Sequence, residues 1–205
     1  MSKITVPSIS RYCVFNFALL ALILVWFWHQ NQAVQMPEAT LGNNEKIQCV
    51  SYSPYYRDGV TPLNINTKIS PEQIDHDLAI LSKQFACVRI YSVGQGLDHV
   101  PEAAKKLGMK VYLGAWIGWI KKLNEKELTL AIALANQYPE TVKALIVGNE
   151  VLLRGEQSEA SLKAYIERAK QSVRVPVTYA DVWEFWRKHP KLENSVDFVL
   201  SLIHI

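Results

Sequence analysis

A glutamate stands where an apolar strand is predicted to end. Glu150 follows the run Ala-Leu-Ile-Val-Gly and is preceded by Asn149. Ligands of parallel α/β folds bind at the carboxyl ends of the strands. A carboxylate there is either a solvated or helix-capping acid, or a general acid whose pKa is raised by a partly dry pocket and a second carboxylate. We favour the general acid, and Asn149 would add an amide beside it.

Another predicted strand ends in a cation and a phenol. Arg89 and Tyr91 are two residues apart, so both side chains lie on one face of that strand. A buried arginine requires a carboxylate partner, and the pair either only stabilises the fold or belongs to a site. Tyr52, at the end of the first predicted strand, is a further candidate.

Tryptophans cluster beyond the third and fifth predicted strands. Trp116 is followed closely by Gly118, so we expect its indole at the mouth of a site. Trp183 and Trp186 are explained equally well as the packing face of a helix. An aromatic ring beside a carboxylate suits a neutral, polyhydroxylated ligand, because the apolar face of a pyranose stacks on the ring while its hydroxyls bind amides and acids. This combination favours a carbohydrate ligand.

Such residues need a scaffold, and the chain alternates apolar runs with amphipathic stretches. The runs predict six strands, at residues 48–53, 86–92, 109–116, 144–150, 175–179 and 196–204. Helical patterns separate them, one after the capping box at Ser70 and Pro71 and another after a box that begins at Asn124. Apolar strands between amphipathic helices predict a parallel sheet covered by helices.

The spacing of the strands distinguishes between parallel architectures. Strands recur about every 30 residues, the pace of an eight-fold (β/α)8 barrel. The chain ends within the sixth apolar run, so we expect a TIM barrel truncated at about strand 6. The alternative is a nucleotide-dependent enzyme on an open α/β sheet. Against it, Gly94-Gln95-Gly96 lacks a third glycine, and the chain has no P-loop motif.

An apolar segment precedes the predicted barrel. It contains only Asn16 as a clearly polar residue, and Lys3 and Arg11 precede it without an acidic residue, which favours a cytoplasmic N-terminus. A signal peptide is the alternative, although the segment ends in bulky residues rather than a small-x-small cleavage site. We expect a single-pass protein of the cell membrane with its catalytic domain outside the cytoplasm. The predicted divisions are a cytoplasmic N-terminus at 1–11, a transmembrane anchor at 12–28, a linker at 29–46 and a partial barrel at 47–205.

Composition and charge exclude several classes. Hydrophobic residues make up 49% and charged residues 20%, which excludes a disordered chain. The net charge of +3, from 22 basic and 19 acidic residues, argues against a nucleic-acid partner. The five histidines have no metal-ligand spacing, and we expect neither a metal nor another cofactor. Cys49 and Cys87 begin neighbouring strands, where we expect two buried thiols because neighbours in a sheet rarely have disulfide geometry.

Residues 48–204 resemble glycoside hydrolase family 17, the β-1,3-glucanases, and look most like its bacterial branch. The matching stretches are SYSPYYRDG, VRIYS, KVYLGAWI, VGNEVLLRG and VDFV…IH, in that order. The resemblance implies a (β/α)8 barrel in which Glu150 is the acid/base. It also implies a set of substrate-binding residues, namely Asn149 at the sugar 2-hydroxyl, Arg89 beside the nucleophile carboxylate, Tyr52, Tyr91 and Trp116 on the glycone side, and His204.

The family implies a retaining reaction on β-glucan polysaccharide or oligosaccharide, with hydrolysis and transglycosylation both open. One carboxylic acid protonates the glycosidic oxygen while a second carboxylate, about 5 Å away, attacks the anomeric carbon. The family's nucleophile follows a seventh strand, which this sequence does not contain, so we expect residues 1–205 alone to be inactive. The alternative is a non-catalytic, membrane-anchored glucan-binding domain in which Glu150 only hydrogen-bonds sugar.

Overall fold

The computed structural model describes residues 6–33 and 45–202, which belong to two units. The first contains helix α1 (Val6–Gln30). Within it, Arg11–Gln30 is long and apolar enough to cross a bilayer, a property it shares with signal sequences, and none of it is buried. At 1.5 Å per residue this stretch extends about 30 Å, the thickness of a hydrocarbon core.

The second unit is built on a parallel sheet. Within residues 45–202 its strands are β1 (Ile47–Ser51), β2 (Phe85–Arg89), β3 (Lys110–Ala115), β4 (Val142–Asn149), β5 (Val177–Val182) and β6 (Leu200–Leu202). Each pairs in parallel with the next along the chain, so the order is β1-β2-β3-β4-β5-β6. A doubly wound nucleotide-binding sheet reverses its strand order in the middle, whereas a barrel is wound in one direction. The predicted barrel architecture is therefore confirmed, as a curled sheet of six strands.

The last strand begins later than its apolar run predicts. Asp197 occupies the start of that run, and its main-chain N–H donates to the carbonyl of Val177 at 2.8 Å. Its carboxylate accepts the N–H of Val177 at 2.7 Å, so a side chain takes the place of a ladder partner here. The regular strand begins only at Leu200.

Helices connect the strands and cover one face of the sheet. Between β1 and β6 they are α2 (Pro71–Leu81), α3 (Val100–Lys106), α4 (Lys121–Gln137), α5 (Glu159–Ser172), α6 (Trp183–Lys188) and α7 (Pro190–Glu193). The predicted cap of α2 is confirmed, because the Ser70 hydroxyl accepts the N–H of Gln73 with Pro71 at the first helical position. Fully buried Leu78, Val88 and Leu128 belong to the core between sheet and helices.

The predicted cap of α4 is wrong. The helix begins at Lys121, three residues before Asn124, which is buried inside it. The Asn124 amide instead accepts the N–H of Gly118 and donates to its carbonyl, both at 2.8 Å. Asn124 therefore stabilises the loop between β3 and α4 rather than the first turn of the helix.

The Gly94-Gln95-Gly96 turn serves packing. Gln95 has a left-handed φ of 56°, and its carbonyl accepts the N–H of Ile69 at 2.8 Å. A Cβ on Gly96 would lie 2.2 Å from the carbonyl oxygen of Ile69, so this glycine permits a close approach of two backbones. The motif is explained without a bound phosphate.

The two cysteines expected as thiols form a disulfide. Cys49 on β1 and Cys87 on β2 are direct partners in the parallel register. Their Cα atoms are 4.5 Å apart, within the range that a disulfide spans. The expectation of buried thiols is wrong because the strands approach closely where these two residues face each other. Cys13 in α1 is free and exposed.

Candidate active site

Three of the predicted site residues meet at the carboxyl edge of the sheet. The Arg89 guanidinium, at the end of β2, donates to Oδ1 of Asn149, at the end of β4, over 2.7 Å. It also lies 4.8 Å from the centre of the Tyr91 ring, whose hydroxyl is 3.2 Å from Oγ of Ser51. Arg89 thus fixes the oxygen of the Asn149 amide and leaves the amide nitrogen as a donor.

Arg89 is a half-buried cation in this cluster. Burial lowers the pKa of its guanidinium, and the neighbouring Tyr91 and Glu150 oppose that shift. Its Nε is buried and has no hydrogen-bond partner among the described residues. Glu150 is therefore within electrostatic reach of Arg89, although no ion pair joins them in the described part of the chain.

Glu150 has an unusual backbone conformation. Its φ is 53°, in the left-handed region that non-glycine residues rarely adopt. Its N–H donates to the carbonyl of Ala180 on β5 at 2.7 Å. Two residues earlier, Gly148 has a φ of 84°, and a Cβ there would lie 2.6 Å from Cγ2 of Val151. The turn after β4 is thus strained at the residue with the best-placed carboxylate, and such strain concentrates at functional sites.

The Glu150 carboxyl is not used by the fold. It is half-buried and has no hydrogen bond or ion pair within residues 45–202. By contrast, Glu156 pairs with Arg154 at 2.6 Å, and the fully buried Asp181 accepts hydrogen bonds from Tyr179 and the N–H of Val182. Among these carboxyl groups, Glu150 is the one free to exchange a proton with a ligand.

Trp116 presents an exposed aromatic surface immediately after β3. The residue is 42% exposed, and the Arg154 guanidinium lies 4.4 Å from its ring centre. The main-chain N–H of Trp116 donates to Oε1 of Glu127 at 3.2 Å. The same oxygen accepts the Ser92 hydroxyl at 2.6 Å and the N–H of Val93 at 2.8 Å, so Glu127 joins the loops after β2 and β3.

Tyr52 lies on the other side of the sheet from this cluster. Only 6% of it is exposed, and its hydroxyl donates to Oδ2 of Asp77 on α2 at 2.8 Å. The Tyr56 hydroxyl donates to the other oxygen of Asp77 at 2.9 Å. Burial raises the pKa of Tyr52, and the hydrogen bond and charge of Asp77 raise it further. The main-chain N–H of Tyr52 donates to the carbonyl of Arg89 at 2.8 Å, but no side-chain hydrogen bond within residues 45–202 links Tyr52 with Arg89 or Asn149.

The remaining candidates separate further. His204 lies outside the described residues. Trp186 is buried, whereas Trp183 is 46% exposed with Arg187 over its ring, so the two do not form one packing face. Sequence reasoning missed Glu127, which it assigned to a capping box, and Arg154, which lies inside VGNEVLLRG without a role. No cluster of metal-ligating side chains occurs in residues 6–33 and 45–202.

Comparison with known proteins gives consistent findings. The family model of the BtgE/BtgC glycoside hydrolase domain matches residues 49–204. A probable β-glucosidase btgE from Aspergillus oryzae is 31% identical over 163 residues, which is 76% of this chain and 26% of that protein. The glucan endo-1,3-β-glucosidase btgC from Emericella nidulans is 25% identical over 150 residues, covering 66% of this chain and 23% of that protein. The chain thus spans about a quarter of these relatives.

Solved structures share the fold. A glycoside hydrolase family 17 β-1,3-glucanosyltransferase from Rhizomucor miehei superposes with a TM-score of 0.60 at 28% identity, over 73% of this chain and 54% of the other. An endo-laminarinase from Formosa superposes with a TM-score of 0.61 at 22% identity, over 73% and 48%. The second likeness concerns the fold alone. The chain spans about half of each of these structures. Its assignment to the bacterial branch of glycoside hydrolase family 17 stays a prediction.

Proposed function

The chain belongs to the BtgE/BtgC glycoside hydrolase family, and from that premise we propose that the protein containing it acts on β-1,3-glucan, with Glu150 as acid/base. The carrying observation is the strained turn after β4, in which a free carboxyl group adjoins an amide held by Arg89. Two similar proteins support the substrate, since one is a glucan endo-1,3-β-glucosidase and the other a β-1,3-glucanosyltransferase crystallised with laminaritriose. Hydrolysis and transfer are both within this proposal.

The proposed chemistry assigns each group one task. Glu150 protonates the glycosidic oxygen and later takes a proton from the incoming water or sugar hydroxyl. Asn149, with its oxygen held by Arg89, donates its NH2 group to the sugar 2-hydroxyl. Trp116 stacks on the apolar face of a pyranose, and Tyr91 adds a hydroxyl on the glycone side. His204 stays a predicted substrate contact. Tyr52 is given no task at the sugar, because it is buried and its hydroxyl donates to Asp77.

The mechanism needs a second carboxylate as nucleophile. We do not assign it to Glu156, Asp77 or Asp181, because Glu156 is paired, Asp77 binds two tyrosines and Asp181 is buried. The family resemblance puts this residue after a seventh strand. For this reason we expect a 205-residue protein expressed by itself to release no sugar from laminarin, and release above background would refute the assignment.

We also propose that α1 is a single-pass anchor with the barrel outside the cytoplasm. Arg11 begins the apolar stretch, no acidic residue precedes it, and the Cys49–Cys87 disulfide suits an oxidising compartment. Alkaline extraction of membranes tests this, because an anchored protein stays in the pellet. An N-terminal sequence of the mature protein that begins after residue 28 would establish a cleaved signal peptide instead.

The activity is tested on the complete reading frame that encodes this chain. Glu150→Gln should lower the rate of laminari-oligosaccharide cleavage or transfer by roughly 10²–10⁴-fold, the contribution of general acid–base catalysis, with laminaritriose still bound. Glu167→Gln is the matched control, since Glu167 is an exposed acid on α5 that pairs with Lys163. Full turnover by Glu150→Gln would overturn the assignment. Binding without turnover by the unaltered protein would favour the glucan-binding alternative.

A further inference from the structure

We propose that Arg154 is a positioning residue that locks the turn carrying Glu150 to the Trp116 platform. The inference rests on the proposed function, since it concerns the same site. Arg154 follows Glu150 by four residues and is half-buried. Arg154 acts through the groups that it holds in place, without touching the substrate itself.

Arg154 holds both peptide groups that flank Glu150. Its main-chain N–H donates to the carbonyl of Glu150 at 2.9 Å. Its guanidinium Nη1 donates to the carbonyl of Asn149, the residue before. These two carbonyls define the orientation of the backbone on either side of the Glu150 Cα. A left-handed non-glycine residue persists only where its surroundings enforce it, and Arg154 supplies that constraint.

The same guanidinium reaches the loop after β3. It lies 4.4 Å from the centre of the Trp116 ring, within cation–π distance. Its Nη2 is 3.4 Å from the carbonyl of Ile117, at the long end of hydrogen bonding. A neighbouring bond reinforces the link, because Gln157 donates to the carbonyl of Gly118 at 2.6 Å. One side chain therefore joins the acid-bearing turn to the aromatic platform.

Arg154 is itself fixed by charge and burial. Its Nη2 donates to Oε2 of Glu156 at 2.6 Å, and the side chains of the pair are 26% and 13% exposed. A planar guanidinium can lie on an indole while its edge donates to Asn149 and Glu156. A lysine ammonium is a point charge without that fork, so it cannot make these contacts together. The geometry thus requires arginine and not merely a positive charge.

The consequence concerns the distance between acid and sugar. A pyranose stacked on Trp116 has a fixed relation to the Glu150 carboxyl only if the two loops move as one body. Catalysis is sensitive to such placement, since a misplacement of 1 Å can cost about 100-fold in rate. We expect Arg154 to affect turnover more than affinity, because the platform remains when the lock is removed.

The first test needs no substrate. Hydrogen exchange followed by mass spectrometry compares the unaltered complete protein with Arg154→Met, Arg154→Lys and the control Arg168→Met, whose arginine pairs with Glu125 away from the site. Exchange should become about tenfold faster in peptides covering 116–120 and 148–157 for both Arg154 variants. The control should leave these peptides unchanged. Unchanged exchange in the Arg154 variants, or an equal increase across all strands, would overturn the proposal.

The second test is kinetic. Arg154→Lys should lower kcat on laminari-oligosaccharides about 100-fold with KM within about threefold of the original value, and Arg154→Met should match it. Rescue by lysine would show that charge alone suffices and would refute the lock. Inactivity of the unaltered protein would refute the proposed function, whereas the exchange experiment would still decide whether Arg154 joins the two loops.

Discussion

The aromatic residues that follow β3 and β1, at the same edge of the sheet, differ in how far they are exposed. After β3, Trp116 is 42% exposed, its main-chain N–H donates to Glu127, and the Arg154 guanidinium lies over its ring. After β1, Tyr52 is 6% exposed and bonded to Asp77 on a covering helix. Both follow the last residue of a strand directly, so a strand-end position does not decide whether a side chain serves the site.

The face of the sheet to which each side chain points decides whether the residue can serve the site. Ser51 is the register partner of Arg89, and Tyr91 on the same face hydrogen-bonds to Ser51. Tyr52 is one residue out of phase with Ser51, and successive side chains of a strand point to opposite faces. Tyr52 therefore joins the core with Ile74 and Leu78 of α2. Tyr52 is thus separated from the site because it lies one residue after Ser51, whose side chain shares a face with Arg89.

The largest expected effect is on activity, from the residues at the ends of β2 and β4 that form the candidate site. Arg89→Met removes the donor that orients Asn149, and we expect kcat/KM on laminari-oligosaccharides to fall by roughly 10²–10³-fold, as for loss of a preorganised polar group. Arg168→Met should retain full activity. Melting temperatures verify that both variants fold. A loss of less than tenfold in Arg89→Met would remove this residue from the site.

The β1 side should affect stability instead. Replacing both Cys49 and Cys87 by alanine should lower the free energy of unfolding by about 4 kcal/mol, because the disulfide closes a loop across 38 residues in the unfolded chain. Urea denaturation of the variant should match that of the unaltered protein in reductant. If reductant does not change the urea midpoint of the unaltered protein, the disulfide does not stabilise the fold, and packing alone holds β1 against β2.

A pair of aromatic variants compares the regions directly. Trp116→Ala should weaken laminaritriose binding about tenfold, from loss of a stacking surface. Tyr52→Phe keeps the ring and removes only the hydroxyl bonded to Asp77, so affinity should change less than twofold while unfolding free energy falls by about 1 kcal/mol. Calorimetric titration and urea denaturation measure the two quantities. The reverse pattern would place Tyr52, and not Trp116, against the sugar.

The last expected effect is a pH dependence of the unfolding free energy, confined to high pH. Burial, with Asp77, raises the pKa of Tyr52 above the unfolded value of about 10. The folded state therefore retains a proton that the unfolded state loses, so this stabilisation is complete below pH 10 and declines as pH rises above it. Tyr52→Phe should make the decline shallower by up to about 1.4 kcal/mol per pH unit, the value for one proton. Equal slopes would show that Tyr52 titrates normally.

Much of the scaffold could be predicted from the sequence. The spacing of apolar residues and the capping motifs predict a parallel sheet with covering helices, which the structure has. The predicted strand ends also pick out Arg89, Tyr91 and Asn149, which lie together. The left-handed φ of Glu150 could not be predicted, because a glutamate has no intrinsic preference for it and only tertiary contacts enforce it.

Side chains that act on distant backbone were also missed. Asn124 and Glu127 fit a capping box by spacing, yet their bonds go to Gly118 and to Val93. The spacing of residues along a helix does not reveal which loop will lie beside it. The Cys49–Cys87 disulfide was missed for a related reason, since the pairing register depends on the whole sheet.

The sequential strand order also bears on how the chain folds. Within residues 45–202, each strand from β1 to β5 pairs with the strand that follows it in sequence. Domains generally fold from the N-terminus during synthesis, at roughly 5–20 residues per second. Once Arg89 has left the ribosome, β1 and β2 have all the residues of their ladder. Each later strand then adds to an existing edge, so synthesis and assembly of the sheet proceed in the same direction.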